Sequence, residues 1–248
     1  MAAIRHLTRA PIVEAILDFR VGSLDPDFQP EAFLSLKDRL REHYPVAEER
    51  RFFQASFEFR EGKAMPPEEK FGGLQGYNFK SEDGRNVAQF RVDGFTYNRL
   101  APYTSLDEIR PAALDLWGLY VELAKPEKLD RLALRYINRI AIPSKGTLAE
   151  YFQVLPTYFP GSPKYLATFV TRISSHDPDT GYFANVGQAL ERGVDPLLAT
   201  VTIDIDVYRV SDLAVESQKL VPIIEGLRKM KNEIFFGAIT EATAELYS

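Results

Sequence analysis

One order of strands and helices occurs twice along this 248-residue chain, and it constrains the fold more than any other feature. In the first half, alternating apolar residues predict a strand at Ile12–Val21, which precedes a helical segment near Pro30–Tyr44. An aromatic strand at Phe52–Arg60 follows, then a longer strand at Val87–Arg99 and an amphipathic segment at Asp107–Ala124. With a short strand before Val87–Arg99, this half is predicted to be a β-α-β-β-β-α module.

The second half repeats this order. Its predicted elements are a strand at Leu132–Ile140, a helix at Thr147–Phe159, an aromatic strand at Tyr165–Ser174, a long strand at Ala199–Val210 and a helical region from Val215. Matched strands lie roughly 110–120 residues apart, far beyond the period of solenoid repeats. We therefore expect a duplication in which residues 1–126 form the first repeat module and residues 127–248 the second. Without a flexible linker at Pro126–Leu129, strands of the two modules should pair and make one structural unit.

The predicted fold class is α+β, with a pseudo-twofold, mostly antiparallel, curved sheet and helices on one face. Asp83-Gly84 predicts a hairpin turn, because glycine adopts the positive φ that tight turns require. The polar Lys63–Gly73 segment is predicted to be a loop. Ser105 and Glu108 have the spacing of a capping box, but Pro111 would lie inside that helix, so we expect the helix to begin between residues 107 and 110. Pro222 is expected to interrupt the C-terminal helical region.

Composition narrows the function classes. The chain has no cysteine, which excludes thiolate catalysis, disulfides and cysteine-ligated zinc. Its net charge of −5 argues against broad non-specific nucleic-acid binding. Residues 1–10 have no apolar signal-peptide core, and no long apolar run suggests a membrane span, so we expect a soluble, cytoplasmic, bacterial protein. The sequence leaves the oligomeric state open.

An unusual set of polar side chains shares one face of the predicted strands. Alternation assigns to it Glu14, Asp18, Arg20, Glu58, Arg60, Gln89, Arg91, Asp93, Tyr97, Arg99, Arg131, Arg135, Arg139, Arg172, Asp204 and Asp206. Every basic residue of this set is arginine, which binds carboxylates and phosphates bidentately. Two interpretations stay open: arginine–carboxylate pairs that satisfy one another across strands, or a groove for an acidic partner. The candidate binding residues are Arg20, Arg91, Arg99, Arg131, Arg135, Arg139 and Tyr97.

Signals for catalysis or metal binding are weak. Asp204 and Asp206 share a strand face and could hold Mg²⁺ with waters, although solvation of acids near a strand end is the more common reason for such a pair. His6, His43 and His176 are isolated from one another, so no zinc site is predicted. The chain has no phosphate-binding loop or dinucleotide fingerprint. We therefore expect no metal and no cofactor, and we assign no catalytic residue.

Several blocks resemble a known family. They are APIVEAILDFRV at Ala10–Val21, the glycine-led block at Gly76–Tyr103, the helix containing Leu116 and Trp117, and LRYINRIAIP at Leu134–Pro143. Together they are similar to an uncharacterised, sporadically distributed prokaryotic protein family of about 250 residues. The resemblance implies a patchily inherited bacterial protein, and it supplies no site residues.

Two functions remain as hypotheses, and the sequence does not decide whether the protein is an enzyme. The leading one is a non-enzymatic binding or accessory protein whose arginine-rich sheet face recognises an acidic or phosphorylated partner, either a protein segment or nucleic acid. The order of elements is similar to that of TATA-box-binding proteins, which is an analogy of fold only. The alternative is a metal-dependent phosphohydrolase resembling triphosphate-tunnel enzymes, with Glu14, Asp18 and Arg20 on one wall and Asp204 and Asp206 on another. An open sheet favours binding, whereas a closed barrel with converging acids favours metal chemistry.

Overall fold

A computed structural model describes residues 1–22, 24–56, 59–60, 63–64, 68–144, 147–157, 159–163, 166–192 and 197–248 of the chain. The side chains of residues 52–72, 192 and 212 are not described.

Strands account for most of the regular structure. They are β1 (Ile12–Val21), β2 (Val46–Ser56), β3 (Phe59–Arg60), β4 (Lys63–Ala64), β5 (Glu68–Lys80), β6 (Asn86–Arg91), β7 (Gly94–Leu100), β8 (Leu129–Pro143), β9 (Phe169–Asp177), β10 (Tyr182–Arg192) and β11 (Leu198–Leu213). The α-helices are α1 (Leu36–Leu40), α2 (Leu106–Ala124), α3 (Ser217–Ala238) and α4 (Glu241–Leu246), and short 3-10 helices span Pro30–Ser35 and Leu148–Glu150. Among the described residues, no helix is long and apolar enough to cross a membrane.

Nine strands form one antiparallel sheet, in the order β2-β5-β6-β7-β1-β8-β11-β10-β9, and β3 pairs with β4 separately. The predicted α+β class is therefore confirmed. The first strands of the two sequence halves, β1 and β8, are neighbours near the middle of the sheet, where Phe19 lies opposite Leu132. The expected pairing between the halves thus exists. The large sheet is open, with β2 at one edge and β9 at the other.

One face of the sheet is apolar and carries the core. Ala15, Leu17 and Phe19 of β1 are completely buried, and Trp117 of α2 stacks on Phe19 with ring centroids 4.8 Å apart. The predicted buried face of α2 is confirmed at Ile109, Ala113, Leu116, Trp117, Tyr120 and Ala124. Aromatic rings pack well in tilted or offset-stacked pairs, so this cluster holds α2 firmly against the first half of the sheet.

Gly94 marks a point where two backbones approach closely. Its φ is +137°, and a Cβ atom there would lie 2.0 Å from the carbonyl oxygen of Phe19. Only glycine fits such a position without moving the strand. Gly94 therefore allows β7 to lie directly beside β1.

The predicted continuous strand at Val87–Arg99 is wrong, because the segment is a hairpin. β6 ends at Arg91 and β7 begins at Gly94, with Val92 and Asp93 forming the turn. Arg91 and Gly94 lie opposite each other and therefore share a face, which inverts the alternation for every later residue of β7. The matching second-half prediction, Ala199–Val210, lies within the single strand β11.

Two predicted helices are shorter than expected. Among the described residues of Thr147–Phe159, the helical structure is the 3-10 turn Leu148–Glu150, and buried Phe152 then bridges to Ile239. Pro30–Tyr44 is divided between a 3-10 helix and α1. In Thr147–Phe159 this tertiary contact overrides the helical pattern of the sequence.

Two predicted boundaries, one of a loop and one of a strand, also differ from expectation, whereas one predicted turn is confirmed. The predicted Lys63–Gly73 loop contains β4 and the start of β5, and the predicted aromatic strand Tyr165–Ser174 begins only at Phe169. Residue 165 lies outside the described residues. The hairpin turn at Asp83-Gly84 is confirmed, since it joins β5 to β6 and Gly84 has a φ of +68°.

Proline does not interrupt the two long helices. α2 begins at Leu106, earlier than predicted, because the Ser105 hydroxyl accepts a hydrogen bond from the Glu108 backbone N–H. Pro111 and Pro222 then lie inside α2 and α3. Each is the sixth residue of its helix, where a missing N–H removes a single hydrogen bond near the helix start.

Candidate functional site

The sheet face opposite the apolar core carries most of the predicted polar set. The strand register places on this polar face Glu14, Asp18, Arg20, Gln89, Arg91, Arg131, Arg135, Arg139, Arg172, Asp204 and Asp206. The polar face runs across both sequence halves, since β1 and β8 are adjacent. Glu58 and the side chain of Arg60 lie outside the described residues.

Asp18 is the centre of an ion-pair network on the polar face. Its carboxylate accepts hydrogen bonds from Arg20 Nε at 3.0 Å, Arg91 Nη2 at 3.1 Å and Arg131 Nη1 at 3.1 Å. The Thr96 hydroxyl donates a fourth bond at 2.6 Å. Burial would raise the pKa of Asp18, but Thr96, Arg20 and Arg91 together hold it below its usual value. The Asp18 carboxylate is therefore held in its charged form.

Two further aspartates neutralise the same arginines. Asp93, from the β6–β7 turn, contacts Arg20 and accepts a bond from Arg91 Nε at 2.9 Å, which closes a ring of two acids and two arginines with Asp18. Asp206 binds Arg131 through both carboxylate oxygens, at 2.7 and 2.8 Å. The central arginines of the polar face are thus committed to internal partners.

Arg135 and Asp204 form a separate bidentate pair. Arg135 Nε and Nη2 donate to the two Asp204 oxygens at 2.8 and 2.6 Å, and this contact raises the pKa of the Arg135 guanidinium. Both side chains remain partly exposed. A half-exposed pair of this kind contributes little to stability, on the order of 1 kcal/mol or less.

Other arginines of the polar face have weak or neutral partners. Arg139 approaches Glu191 at 3.8 Å with both side chains more than half exposed, and exposed Arg172 has no acidic partner among the described residues. At the opposite edge, Arg50 donates to the neutral amide of Gln89 at 2.9 Å. Burial and the nearby positive charge of Arg91 lower the pKa of Arg50. We call Arg50, Arg139 and Arg172 the outer arginines.

Tyr97 and Arg99 do not belong to the polar face, so their predicted placement there is wrong. Tyr97 lies opposite Leu17, and Arg99 lies opposite Ala15, both on the apolar face of β1. The cause is the β6–β7 turn, which inverts the alternation. Their side chains converge on Asn86 Oδ1, at 3.0 Å from the Tyr97 hydroxyl and 3.1 Å from Arg99 Nη1.

A ladder of aromatic rings crosses the second half of the polar face. His176, Phe183 and Tyr208 lie opposite one another on β9, β10 and β11. The rings are stacked, with centroids 4.2 Å apart for His176–Phe183 and 5.3 Å apart for Phe183–Tyr208. Arg131 covers the far ring, 4.3 Å above Tyr208. The ladder ends at His176, an exposed residue of the edge strand β9.

Asp204 and Asp206 each bind a guanidinium. A Mg²⁺ ion held by both carboxylates would have to compete with these two ion pairs. Within the described part of the chain, no three His, Asp or Glu side chains are grouped as metal ligands. The sheet is also open, which is the arrangement that favours binding over tunnel-type metal chemistry.

A second candidate site is a pocket of about 210 Å³ beneath the N-terminal segment. Residues 4–7 and 10–12, the start of α2, the middle of β8 and the second half of α3 line it. Lys231 of α3 is partly buried there, and its ammonium lies 4.1 Å from the centre of the Tyr136 ring. Burial, assisted by the nearby charge of Arg228, lowers the pKa of Lys231 to about 7.

Two functional candidates were not predicted from sequence. Arg50 precedes the predicted strand Phe52–Arg60, whereas β2 begins at Val46. Lys231 occupies a core-facing position of α3, in line with the buried residues Ile224, Leu227 and Phe235. A lysine at that helical spacing is the signal that could have identified the pocket.

No protein-family model matches this chain, and no curated protein matches it.

Proposed function

We propose that this is a non-enzymatic binding or accessory protein of the bacterial cytoplasm that recognises an acidic or phosphorylated protein segment on the polar face. The proposal rests on the observation that the arginines of the polar face fall into two groups. Arg20, Arg91, Arg131 and Arg135 have close carboxylate partners, whereas no outer arginine has a close carboxylate partner among the described residues. The central network supports a rigid platform, and the outer arginines supply the charge that an acidic partner would meet.

A protein segment fits this surface better than nucleic acid. The polar face carries Asp204, Asp206 and Glu191 among its arginines, and the chain as a whole has a net charge of −5. These acids would repel a continuous phosphate backbone. A segment with spaced acidic or phosphorylated residues can place its charges at Arg139 and Arg172 while avoiding the acids.

We also propose that residues 1–126 and 127–248 are two copies of one module, related by a pseudo-twofold axis between β1 and β8, with the helices on one side of a curved sheet. In support, the last strand of each half flanks the first strand of that half: β7 pairs with β1, and β11 pairs with β8. Helices on one side would leave the polar face open to a partner. Membership of the sporadic prokaryotic family is part of the same proposal. Superposition of the β1–β7 pair on the β8–β11 pair, extended to their neighbours, tests the symmetry.

Fluorescence anisotropy with two labelled peptides tests the binding proposal. The probes are an oligoglutamate peptide and the same peptide carrying phosphoserines, with labelled oligothymidylate as the nucleic-acid arm. The Arg139→Gln/Arg172→Gln double variant should weaken binding of the acidic peptides by at least about 10-fold, which corresponds to about 1.4 kcal/mol. Its stability should be unchanged, since both side chains are exposed.

The matched control is the double variant Arg39→Gln/Lys229→Gln, which removes two exposed charges from helices while leaving the polar face intact. It should bind the peptides as the wild type does. Equal losses in both double variants would mean that net charge alone attracts the peptides. Binding of oligothymidylate without binding of either peptide would refute the proposed class of partner.

A further inference from the structure

The pocket around Lys231 has an unusual electrostatic composition. Its titratable lining groups are Arg5, His6, Tyr103, Tyr136, Arg228 and Lys231. No Asp or Glu is among the described residues that line it, although the chain contains 35 acidic residues. The pocket therefore has basic and phenolic groups but no carboxylate of its own.

The arginines at the pocket are already paired. Arg5, on the N-terminal segment, binds Glu241 of α4. Arg228, one turn before Lys231 on α3, binds Asp107 at 3.1 Å and Glu225 at 3.6 Å. These acids neutralise the arginines from outside the pocket lining, so they do not serve Lys231.

Lys231 differs from these arginines, because the described residues supply no counter-ion for it. Among the described residues no carboxylate lies within ion-pair distance of its ammonium, whose close partner is the face of the Tyr136 ring from β8. A ring face attracts a cation but replaces only part of its lost hydration. Burial therefore acts with Arg228 to lower the pKa of Lys231 to about 7.

Two tyrosine hydroxyls lie in the same pocket. Tyr103, just before α2, and Tyr136 have their oxygens 2.8 Å apart, so one hydroxyl donates to the other. A pair of hydroxyls has two hydrogens and uses one between them, which leaves a second hydrogen for an acceptor. Burial raises the pKa of Tyr103 to about 12, so both donors persist at neutral pH.

The rest of the lining is apolar and large enough for a small organic molecule. Leu7, Ile12 and Phe235 contribute buried side chains to it. A cavity of about 150 Å³ is sufficient for benzene, and this pocket has about 210 Å³. Its size and surface suit a hydrocarbon body attached to one polar group.

We propose that this pocket binds a small organic carboxylate, whose charged group pairs with Lys231 and the free tyrosine hydrogen while its apolar body packs on Leu7, Ile12 and Phe235. A monoanion fits because Lys231 is the one lysine or arginine of the lining without a carboxylate partner among the described residues. A phosphate dianion would require the charges of Arg5 and Arg228, which already pair with acids. The site is on the apolar side of the sheet and is independent of the proposed function of the polar face.

Isothermal titration calorimetry with acetate, hexanoate and benzoate tests the proposal, with benzamide as the uncharged analogue of benzoate. At pH 7 benzoate or hexanoate should bind with uptake of protons from the buffer, because the carboxylate favours the charged form of Lys231. Between pH 7 and pH 9 the affinity should fall by roughly 10-fold or more as the free lysine loses its proton. Benzamide should bind more weakly and without proton uptake.

Lys231→Met keeps the length of the side chain and removes its charge. This variant should bind the carboxylates at least about 10-fold more weakly, a loss that corresponds to about 1.4 kcal/mol of binding free energy. Its binding should take up no protons. The control is Lys229→Met, which replaces an exposed lysine of the same helix that pairs with Glu233. It should bind the carboxylates with the affinity and proton uptake of the wild type. Failure of all three carboxylates to bind, equal binding of benzoate and benzamide, or undiminished binding by Lys231→Met would each overturn the proposal. The pH and proton-uptake measurements use the wild-type protein and do not depend on the folding of a variant.

Discussion

Replacement of Asp18 by Asn removes the charge at the centre of the ion-pair network while nearly preserving the volume of the side chain. The carboxylate accepts bonds from Arg20, Arg91, Arg131 and the Thr96 hydroxyl, all between 2.6 and 3.1 Å. An amide offers one acceptor oxygen and presents two N–H donors to groups that are themselves donors. At least one guanidinium must then lose its partner.

The expected cost follows from the burial of these groups. Asp18 and Arg91 have side chains only 13% and 6% exposed. Breaking a buried pair and leaving one charge uncompensated costs about 3–5 kcal/mol. Asp93 binds two of the same arginines but is 55% exposed, so Asp93→Asn should cost only about 0–1 kcal/mol. In a protein of this length, each kcal/mol of lost stability lowers the melting temperature by about 2–4 °C. Asp18→Asn should therefore melt at a clearly lower temperature than Asp93→Asn.

Urea denaturation and thermal melts of the wild type, Asp18→Asn and Asp93→Asn measure this difference. The pH dependence adds a second criterion, because the folded state holds the pKa of Asp18 below the 3.8 expected of an unfolded chain. The stabilisation is complete above that value and is lost as the pH falls through the lower folded pKa. The difference in the free energy of unfolding between the wild type and Asp18→Asn should therefore become smaller at acidic pH. If Asp18→Asn were as stable as Asp93→Asn at pH 7, the central role of Asp18 would be refuted.

Four further experiments test the fold, the pocket and the expectation that no metal is bound. Gly94→Ala should destabilise the protein by roughly 3 kcal/mol or more, because the added Cβ would collide with a backbone oxygen. The control Gly84→Ala places its Cβ in open space and should cost about 1 kcal/mol of backbone strain. Urea denaturation compares the two variants, and equal costs would contradict the close approach of β7 to β1. Trp117→Phe removes the 2.7 Å bond from Nε1 to the Val215 carbonyl and should cost about 1–3 kcal/mol, measured in the same way; an unchanged midpoint would show that this bond contributes nothing. Because the pKa of Lys231 falls from 10.5 unfolded to about 7 folded, wild-type stability should rise between pH 7 and 10.5, by at most about 1.4 kcal/mol per pH unit, and Lys231→Met should lack this rise. A chelator should leave the melting temperature unchanged; a fall of several degrees would indicate a structural metal that the sequence did not predict.

Local patterns in the sequence determined the single elements. Alternation at Ile12–Val21 identified β1, helical spacing identified six of the seven buried residues of α2, all but Leu106, and Asp83-Gly84 identified a hairpin turn. These features depend on side-chain periodicity and on the positive φ of glycine, which are properties of neighbouring residues. The arginine-rich face followed from the same alternation, since eight of its members lie on β1, β8 and β11, on stretches where the alternation is regular.

Only the tertiary structure decided which of these residues meet, and on which face. A two-residue turn at Val92-Asp93 moved Tyr97 and Arg99 to the apolar face, because a hairpin inverts the alternation without changing the composition of the segment. The neutralisation of Arg131 by Asp18 and Asp206 depends on β1 and β11 flanking β8, a long-range pairing that no local pattern encodes. Lys231 became a candidate ligand-binding group only when strand β8 and the N-terminal segment enclosed it, because burial without a counter-ion is a property of the assembled core and not of the helix that carries the lysine.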